Sequence, residues 1–482
     1  MASDIVAHAG RLLGEHTEFG DSAAIEERAL ARLRVGLAAL ARRHPALAER
    51  AGRWSLADTA SLRALLRDPA LRNAFEVDVT VMRDGAPAAS MLDGLLPATP
   101  GGGLSSALAE PARLAWPSVG SAWVWTRLDE RPEEPLSLRM WEGLRSVFPN
   151  PSAEAPVAPT PETLEGIERG ARLLATLLPE VGPGVLRHVG MIGLARDGDE
   201  DGTILSLSGG DGLPGTIFVA PELVANPWDA AGMILHEALH LQLFEILRCG
   251  ELTAIGPAAT TPAIPIPWRR MEWSVMRVLF ALHVYVHMTL FERAAAQAPP
   301  EVLAEFGPPL KGAAMTPPTP GSARTHATPL ERASYLGEQL ERVVPEKLSA
   351  YGLRFASWLV DVLEELAPGI RAGWTAPIPA AQVSTVEAAG PGPVRLRASE
   401  PADAVPVPGQ GRLVVAPAAT GRLHWLNLAS WTVYALCDGR DPAAIEADYA
   451  EAVGGPREPA IRDCRSGIAG LLREGLIEAV PA

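Results

Sequence analysis

Apolar residues recur every three or four positions from Ile25 to Ala41, where Leu30, Leu33, Leu37 and Leu40 share one face, so this segment is predicted to be an amphipathic helix. Ser55–Arg67 and Arg139–Phe148 carry the same pattern. Pro97–Gly103 (PATPGGG) reads as a loop, because Pro and successive Gly do not sustain a helix. A Pro-rich stretch, Pro149–Pro161, then separates an N-terminal helical region (1–150) from a central region (160–375). There the pattern predicts helices over Glu162–Leu178, Pro227–Arg248 and Arg270–Ala296, and two more within Leu330–Glu365. Thr203–Ser208 and Gly215–Val219 are short β-branched runs flanked by Gly and read as strands. The connections Thr253–Pro267 and Pro299–Pro320 are long for a compact unit, as substrate-contacting loops often are. Trp374–Gly392 reads as a linker. Beyond it, in 393–482, come two extended runs around a turn at Ala418–Gly421, then three helical segments, with Asp441 as N-cap and Pro442 at the first position of the second. The fold class expected is mainly α with small β elements: a helical core followed by a C-terminal hairpin and three helices, the elements of a winged helix.

Composition narrows the partners. The 482 residues carry 42 Lys plus Arg against 57 Asp plus Glu, a formal net charge of −15, which argues against a grip on nucleic-acid phosphates. A winged helix often binds DNA, but residues 393–482 hold 9 Arg and no Lys against 11 acidic residues, a net of −2. Three scattered Cys form no CxxC pair, which points to a reducing, cytoplasmic setting. Charged residues interrupt the first twenty positions, so no signal peptide is expected, and Arg277, His283 and His287 interrupt the longest apolar stretch, Ser274–Phe291, so no membrane span is expected.

The sharpest chemical signal is His236-Glu237-Ala238-Leu239-His240. On a helix, positions four apart share a face, so both imidazoles can reach one metal ion. The surrounding segment is apolar on nearly every face, and buried polar groups there would be costly without a partner such as a cation. His283 and His287 are the only other His pair at helical spacing; His283 is the candidate third ligand, with His287 in reserve. Two chemistries fit. A zinc peptidase would use Glu237 as general base toward a metal-bound water. An iron(II) oxygenase would leave open positions for a 2-oxo acid and dioxygen, with an Arg clamping the distal carboxylate; Arg269, Arg270 and Arg277 are the candidates.

Two resemblances sharpen these alternatives. LNLASWTVYALCDGRDPAAIEADYA and the closing GLLREGLIEAV resemble the PqqD-like precursor-peptide recognition element over about ninety residues. The resemblance implies that a leader peptide adds as a strand beside the hairpin and against the last helix. That makes Leu413, Val415, Leu423 and Trp425 on one side, and Ile461, Arg465, Ile468 and Leu472 on the other, the candidate peptide-binding residues. LPGTIFVAPEL, ILHEALHLQL, PWRR and LFALHVYVH resemble the HExxH peptide-modifying proteins of ribosomal natural-product pathways, which include 2-oxoglutarate-dependent peptide β-hydroxylases. That resemblance implies iron at His236, His240 and His283, with 2-oxoglutarate and O2 as co-substrates. The expected function is hydroxylation of a side-chain carbon in a precursor peptide. The alternatives are a zinc peptidase acting on the same class of peptide and a non-enzymatic precursor-peptide carrier.

Overall fold

The structure is a computed structural model. It describes residues 2–83, 89–100, 112–117, 120–125, 135–148, 157–195, 206–253, 264–269, 271–309, 326–374, 394–399, 401–407, 412–417, 423–453 and 457–481. The expected linker over 375–392 and the turn at 418–421 therefore lie outside the described residues, apart from Trp374.

The chain is mainly helical with small sheets. In order the elements are α1 (Ala2–Gly14), α2 (Ser22–Arg43), α3 (Ala48–Ser55), α4 (Thr59–Leu66), α5 (Pro69–Arg83), β1 (Ala112–Trp116), β2 (Gly120–Val124), α6 (Pro135–Val147), α7 (Pro161–Leu177), α8 (Gly182–Leu186) and β3 (Met191–Leu194). Then come β4 (Leu207–Ser208), β5 (Thr216–Val219), α9 (Pro227–Leu247), β6 (Ile264–Ile266), β7 (Met271–Trp273), α10 (Val275–Ala296), α11 (Pro300–Phe306), α12 (Pro329–Glu338) and α13 (Ala350–Leu366). The rest are β8 (Val394–Ala398), β9 (Pro401–Val407), β10 (Arg412–Pro417), β11 (His424–Leu426), α14 (Leu428–Leu436), β12 (Asp438–Arg440), α15 (Pro442–Val453), α16 (Arg457–Arg473) and β13 (Ile477–Pro481).

Residue contacts divide the chain into two units. The first comprises 1–26, 67–73 and 103–380, so parts of the N-terminal 150 residues pack with the central region. Its sheet has the order β1-β2-β3-β5-β4, with β2, β3 and β5 parallel and β4 an antiparallel edge strand. Helices α7 and α9 pack on each other and on this sheet, and α10 packs on α9, α12 and α13. Side-chain caps start these helices. Thr160 and Thr163 form a capping box at α7, and Asn226 accepts from the Trp228 and Asp229 N–H groups at α9. Gly170 lets α7 and α9 approach: a Cβ there would lie 2.6 Å from the Ala230 Cβ. α10 is long and apolar enough to cross a membrane by composition, but its residues are mostly buried among neighbouring helices of the protein.

Two expected helices differ from the pattern. The segment Ser55–Arg67 breaks, α3 ending at Ser55 and α4 starting at Thr59, because the Asp58 carboxylate accepts the Ser61 N–H at 2.7 Å and opens a new helix. The helix expected from Arg270 starts at Val275. Met271–Trp273 instead pairs with Ile264–Ile266, and Ser274 caps α10 by accepting the Arg277 N–H. Of the strand expected over Thr203–Ser208, Leu207 and Ser208 are extended and 203–205 lie outside the described residues.

The second unit comprises 27–66, 74–102 and 381–482. In its N-terminal part Arg32 forks onto Glu76 with two 2.7 Å hydrogen bonds, and the Asp78 carboxylate accepts from Ser90, Met91 and Leu92. In its C-terminal part β9, β10 and β11 form an antiparallel sheet in the order β11-β10-β9, and β8 pairs with β12 and β13. Helices α14, α15 and α16 pack on one another around Val433, Ile445, Tyr449 and Cys464. The hairpin and three helices are thus present, with additional strands that local periodicity did not announce.

Candidate metal centre

The two histidines of the HExxH segment sit one turn apart on α9, their ring centroids 5.0 Å apart and nearly perpendicular. Both are only half-buried, the His236 side chain retaining 32% of its exposure. Burial lowers His236 to about 4; burial and then the neighbouring His236 lower His240 to about 3. Both imidazoles are therefore neutral at neutral pH, the form that ligates a metal. The Phe280 ring stands 5.7 Å from His240 and 5.2 Å from Phe244, an aromatic wall beside the pair.

Glu237 is 2% exposed. Its carboxylate accepts the Ser206 hydroxyl at 2.7 Å and the backbone N–H of Ser208, and Oε1 lies 3.9 Å from His236 Nε2. Burial raises it to about 7 against those two bonds, so the group exchanges a proton near neutrality. The edge strand β4 thus holds the carboxyl of the motif. The sequence carries no local signal for this contact, since Ser206 and Glu237 are 31 residues apart.

The second pair lies elsewhere in environment. His283 is 0% exposed, against Phe355 (5.6 Å) and Trp358 (6.2 Å) of α13. Neither of its ring nitrogens makes a well-formed hydrogen bond, and burial first, then His287 and His240, push it well below the ordinary histidine value against the opposing pull of the Leu239 backbone on α9. His287 is also buried, and its Nδ1–H donates to the His283 carbonyl at 2.8 Å, which leaves Nε2 unprotonated. Among the described residues no three His, Cys, Asp or Glu side chains converge as a metal site. His236 and His240 fit a cation as a neutral pair; the structure does not bring His283 into a three-ligand group with them.

Arg269 and Arg277 are exposed, and neither forms an ion pair with a carboxylate among the described residues. The Arg277 guanidinium stands 4.7 Å from the Trp273 ring; burial and then the charge of Arg269 lower it. Arg270 lies outside the described residues.

On the C-terminal candidate surface the residues divide. Leu413, Val415 and Ile468 belong to the hydrophobic core of this part, and Arg465 is committed to Glu446 through bonds of 2.8 and 2.9 Å. Leu423, Trp425 and Ile461 are half-buried and Leu472 is exposed. The cause is the sheet: β9 covers one side of β10, so β11 is the outer strand of the hairpin.

Polar groups far apart in sequence also secure α9. Glu245, buried near its end, accepts from Arg72 at 2.5 Å and from Arg248 at 2.9 Å, and Arg248 reaches Asp211 at 2.9 Å, in the turn after β4. Comparison of the chain with protein-family models and with curated proteins gives no match.

Proposed function

We propose that this protein is a cytoplasmic, metal-dependent enzyme that hydroxylates a side-chain carbon of a ribosomally made precursor peptide, using iron(II) and 2-oxoglutarate. The observation that carries the metal part is the pair His236 and His240, neutral, one turn apart and partly open, beside a carboxyl poised near neutrality. The peptide and hydroxylase parts rest on the sequence resemblances. His236 and His240 would hold the iron, with His283 the proposed third ligand. When bound, iron with 2-oxoglutarate and dioxygen supplies the oxidising power for an unactivated C–H bond. The balance is peptide C–H, O2 and 2-oxoglutarate giving peptide C–OH, succinate and CO2.

The chain's own residues position the reactants. Glu237 Oε1 holds or takes a proton beside His236, tuned by Ser206 and Ser208. Phe280 and Phe244 screen one side from water. An extended peptide aligned with edge strand β4 would pass the carboxyl that β4 holds. In the C-terminal winged-helix element a leader would add along the outer edge of β11, meeting Leu423, Trp425, Ile461 and Leu472. One of Arg269, Arg270 and Arg277 would take the distal carboxylate of 2-oxoglutarate.

A second reading, a zinc peptidase, is favoured by Glu237 alone: a buried carboxyl with a value of about 7, 3.9 Å from a motif histidine, suits a general base. One experiment separates them. The protein is loaded with iron(II) without oxygen, mixed with 2-oxoglutarate, then exposed to air while succinate is followed by mass spectrometry. Succinate formed by the wild type and lost in His236→Ala supports the hydroxylase. No succinate, with zinc retained and peptide cleaved, establishes the peptidase instead.

A further inference from the structure

A second polar cluster, independent of the α9 histidines, is enclosed by the β6–β7 hairpin, α10 and α12. At its centre Arg332 is 3% exposed. Its Nε–H donates to the His326 carbonyl at 3.0 Å and Nη1 to the Tyr285 hydroxyl at 3.3 Å. The guanidinium carbon lies 5.6 Å from the Trp268 ring centre and 5.4 Å from that of Tyr285. Among the described residues no carboxylate forms an ion pair with it. Glu292, half-buried, feels its charge but remains beyond ion-pair distance.

Three further polar atoms of this cluster are buried without a hydrogen-bond partner: the indole nitrogens of Trp268 and Trp273, and His326 Nδ1. Trp268 and Trp273 are 2% and 6% exposed. Trp268 links the cluster, its ring 5.3 Å from that of His326 and 6.2 Å from that of Trp273. Buried donors are almost always paired, so the two unpartnered indole N–H groups leave this arrangement incomplete. His326 adds a left-handed φ of 65°, the sole such non-glycine residue among those described.

We propose that this cluster is a binding site for a small organic carboxylate, its head group held by Arg332 and the Trp268 indole N–H. One buried guanidinium balances one negative charge, which favours a carboxylate over a doubly charged phosphate. With Nε and Nη1 already engaged, Nη2 is the guanidinium nitrogen left for a head group, and the indole N–H groups are donors only, so they select an acceptor. The site involves none of the candidate metal ligands.

The test uses the full-length protein without added metal. Acetate, propionate and inorganic phosphate are titrated separately, followed by tryptophan fluorescence and by thermal unfolding. The proposal expects saturable binding of both carboxylates, stronger than phosphate, weakened at least about tenfold in Arg332→Met, as loss of a hydrogen bond to a charged group implies. Trp268→Phe, which removes the N–H and keeps an aromatic face, weakens it less. Binding survives in the His236→Ala, His240→Ala double variant. If Arg332→Met does not fold, Arg332→Lys serves, since it keeps the charge and loses the fork. No saturable carboxylate binding to the wild type overturns the proposal, as does binding that the Arg332 and Trp268 variants leave unchanged. Binding abolished by the double histidine variant places the carboxylate at the metal centre and also overturns it.

Discussion

The histidine pair on α9 and the pair on α10 share a four-residue spacing and lie on helices packed against each other, yet their surroundings are opposite. His236 and His240 open beside Phe280 and next to a carboxyl anchored by β4. His283 and His287 are sealed against Phe355 and Trp358, one with no well-formed hydrogen bond at either nitrogen, the other bonded to its own helix. Spacing alone therefore does not select a ligand; access and the polar company of the ring do. The opening around the α9 pair gives a cation and a substrate their approach, and His283 would have to ligate from the buried side.

The comparison breaks most visibly at the metal. His236→Ala or His240→Ala is expected to weaken iron(II) or zinc binding by more than the roughly 10- to 100-fold that outer-shell partners contribute, measured by competition with a chelator. His287→Ala should change that affinity much less. Next in size is the anchoring of α9. Arg72→Met leaves Glu245 with a buried charge and one fewer partner, so stability should fall by about 3–5 kcal/mol in urea unfolding. Glu245→Gln in the same background should recover part of that loss.

A smaller effect sharpens the role of His283. His283→Leu removes two buried nitrogens that make no well-formed hydrogen bond, so the metal-free protein should be unchanged or about 1 kcal/mol more stable by thermal unfolding. If His283 also ligates, the same variant loses metal affinity, separating ligation from packing in one protein. A separate effect is in pH dependence. Glu237 rises from 4.5 to about 7 on folding, so the stability tied to its protonated form is complete below 4.5 and lost as pH climbs to 7. His236 and His240 fall from 6.5 to about 4 and 3, so their contribution is complete above 6.5 and lost as pH drops toward those values. Between 4.5 and 6.5 the two trends oppose each other. Glu237→Gln should abolish the loss near pH 7 and leave the acid-side fall, checked by unfolding midpoints from about pH 3 to pH 8.

Much of the helical frame was legible in the sequence because apolar periodicity and capping residues agree: α7, α9, α13 and the three C-terminal helices fall close to their expected places. The start of α10 was not, because Trp268–Trp273 has a helix-compatible apolar content and only hairpin pairing decides otherwise. The N-terminal helix α1, the strand pair β1–β2 and the flanking strands β8 and β9 gave no periodic signal strong enough to name, and Ile477–Val480, which reads as the end of the last helix, instead follows the Gly475 turn as strand β13 paired with β8. At the centre, His236, Glu237 and His240 were readable from spacing. Ser206, Ser208 and the Arg72–Glu245 pair were not, since they act across long sequence separations that only the tertiary fold closes. Leu413, Val415 and Ile468 followed the hairpin and helix pattern correctly as apolar positions, but that pattern does not distinguish a groove from a core.

The most direct test of the account is the stoichiometry of iron(II) bound without oxygen by the wild type and by the His236→Ala, His240→Ala double variant, with folding verified by circular dichroism. The account predicts one equivalent bound by the wild type and none by the folded double variant. One equivalent retained by the double variant would contradict it, and would move the metal away from the α9 pair.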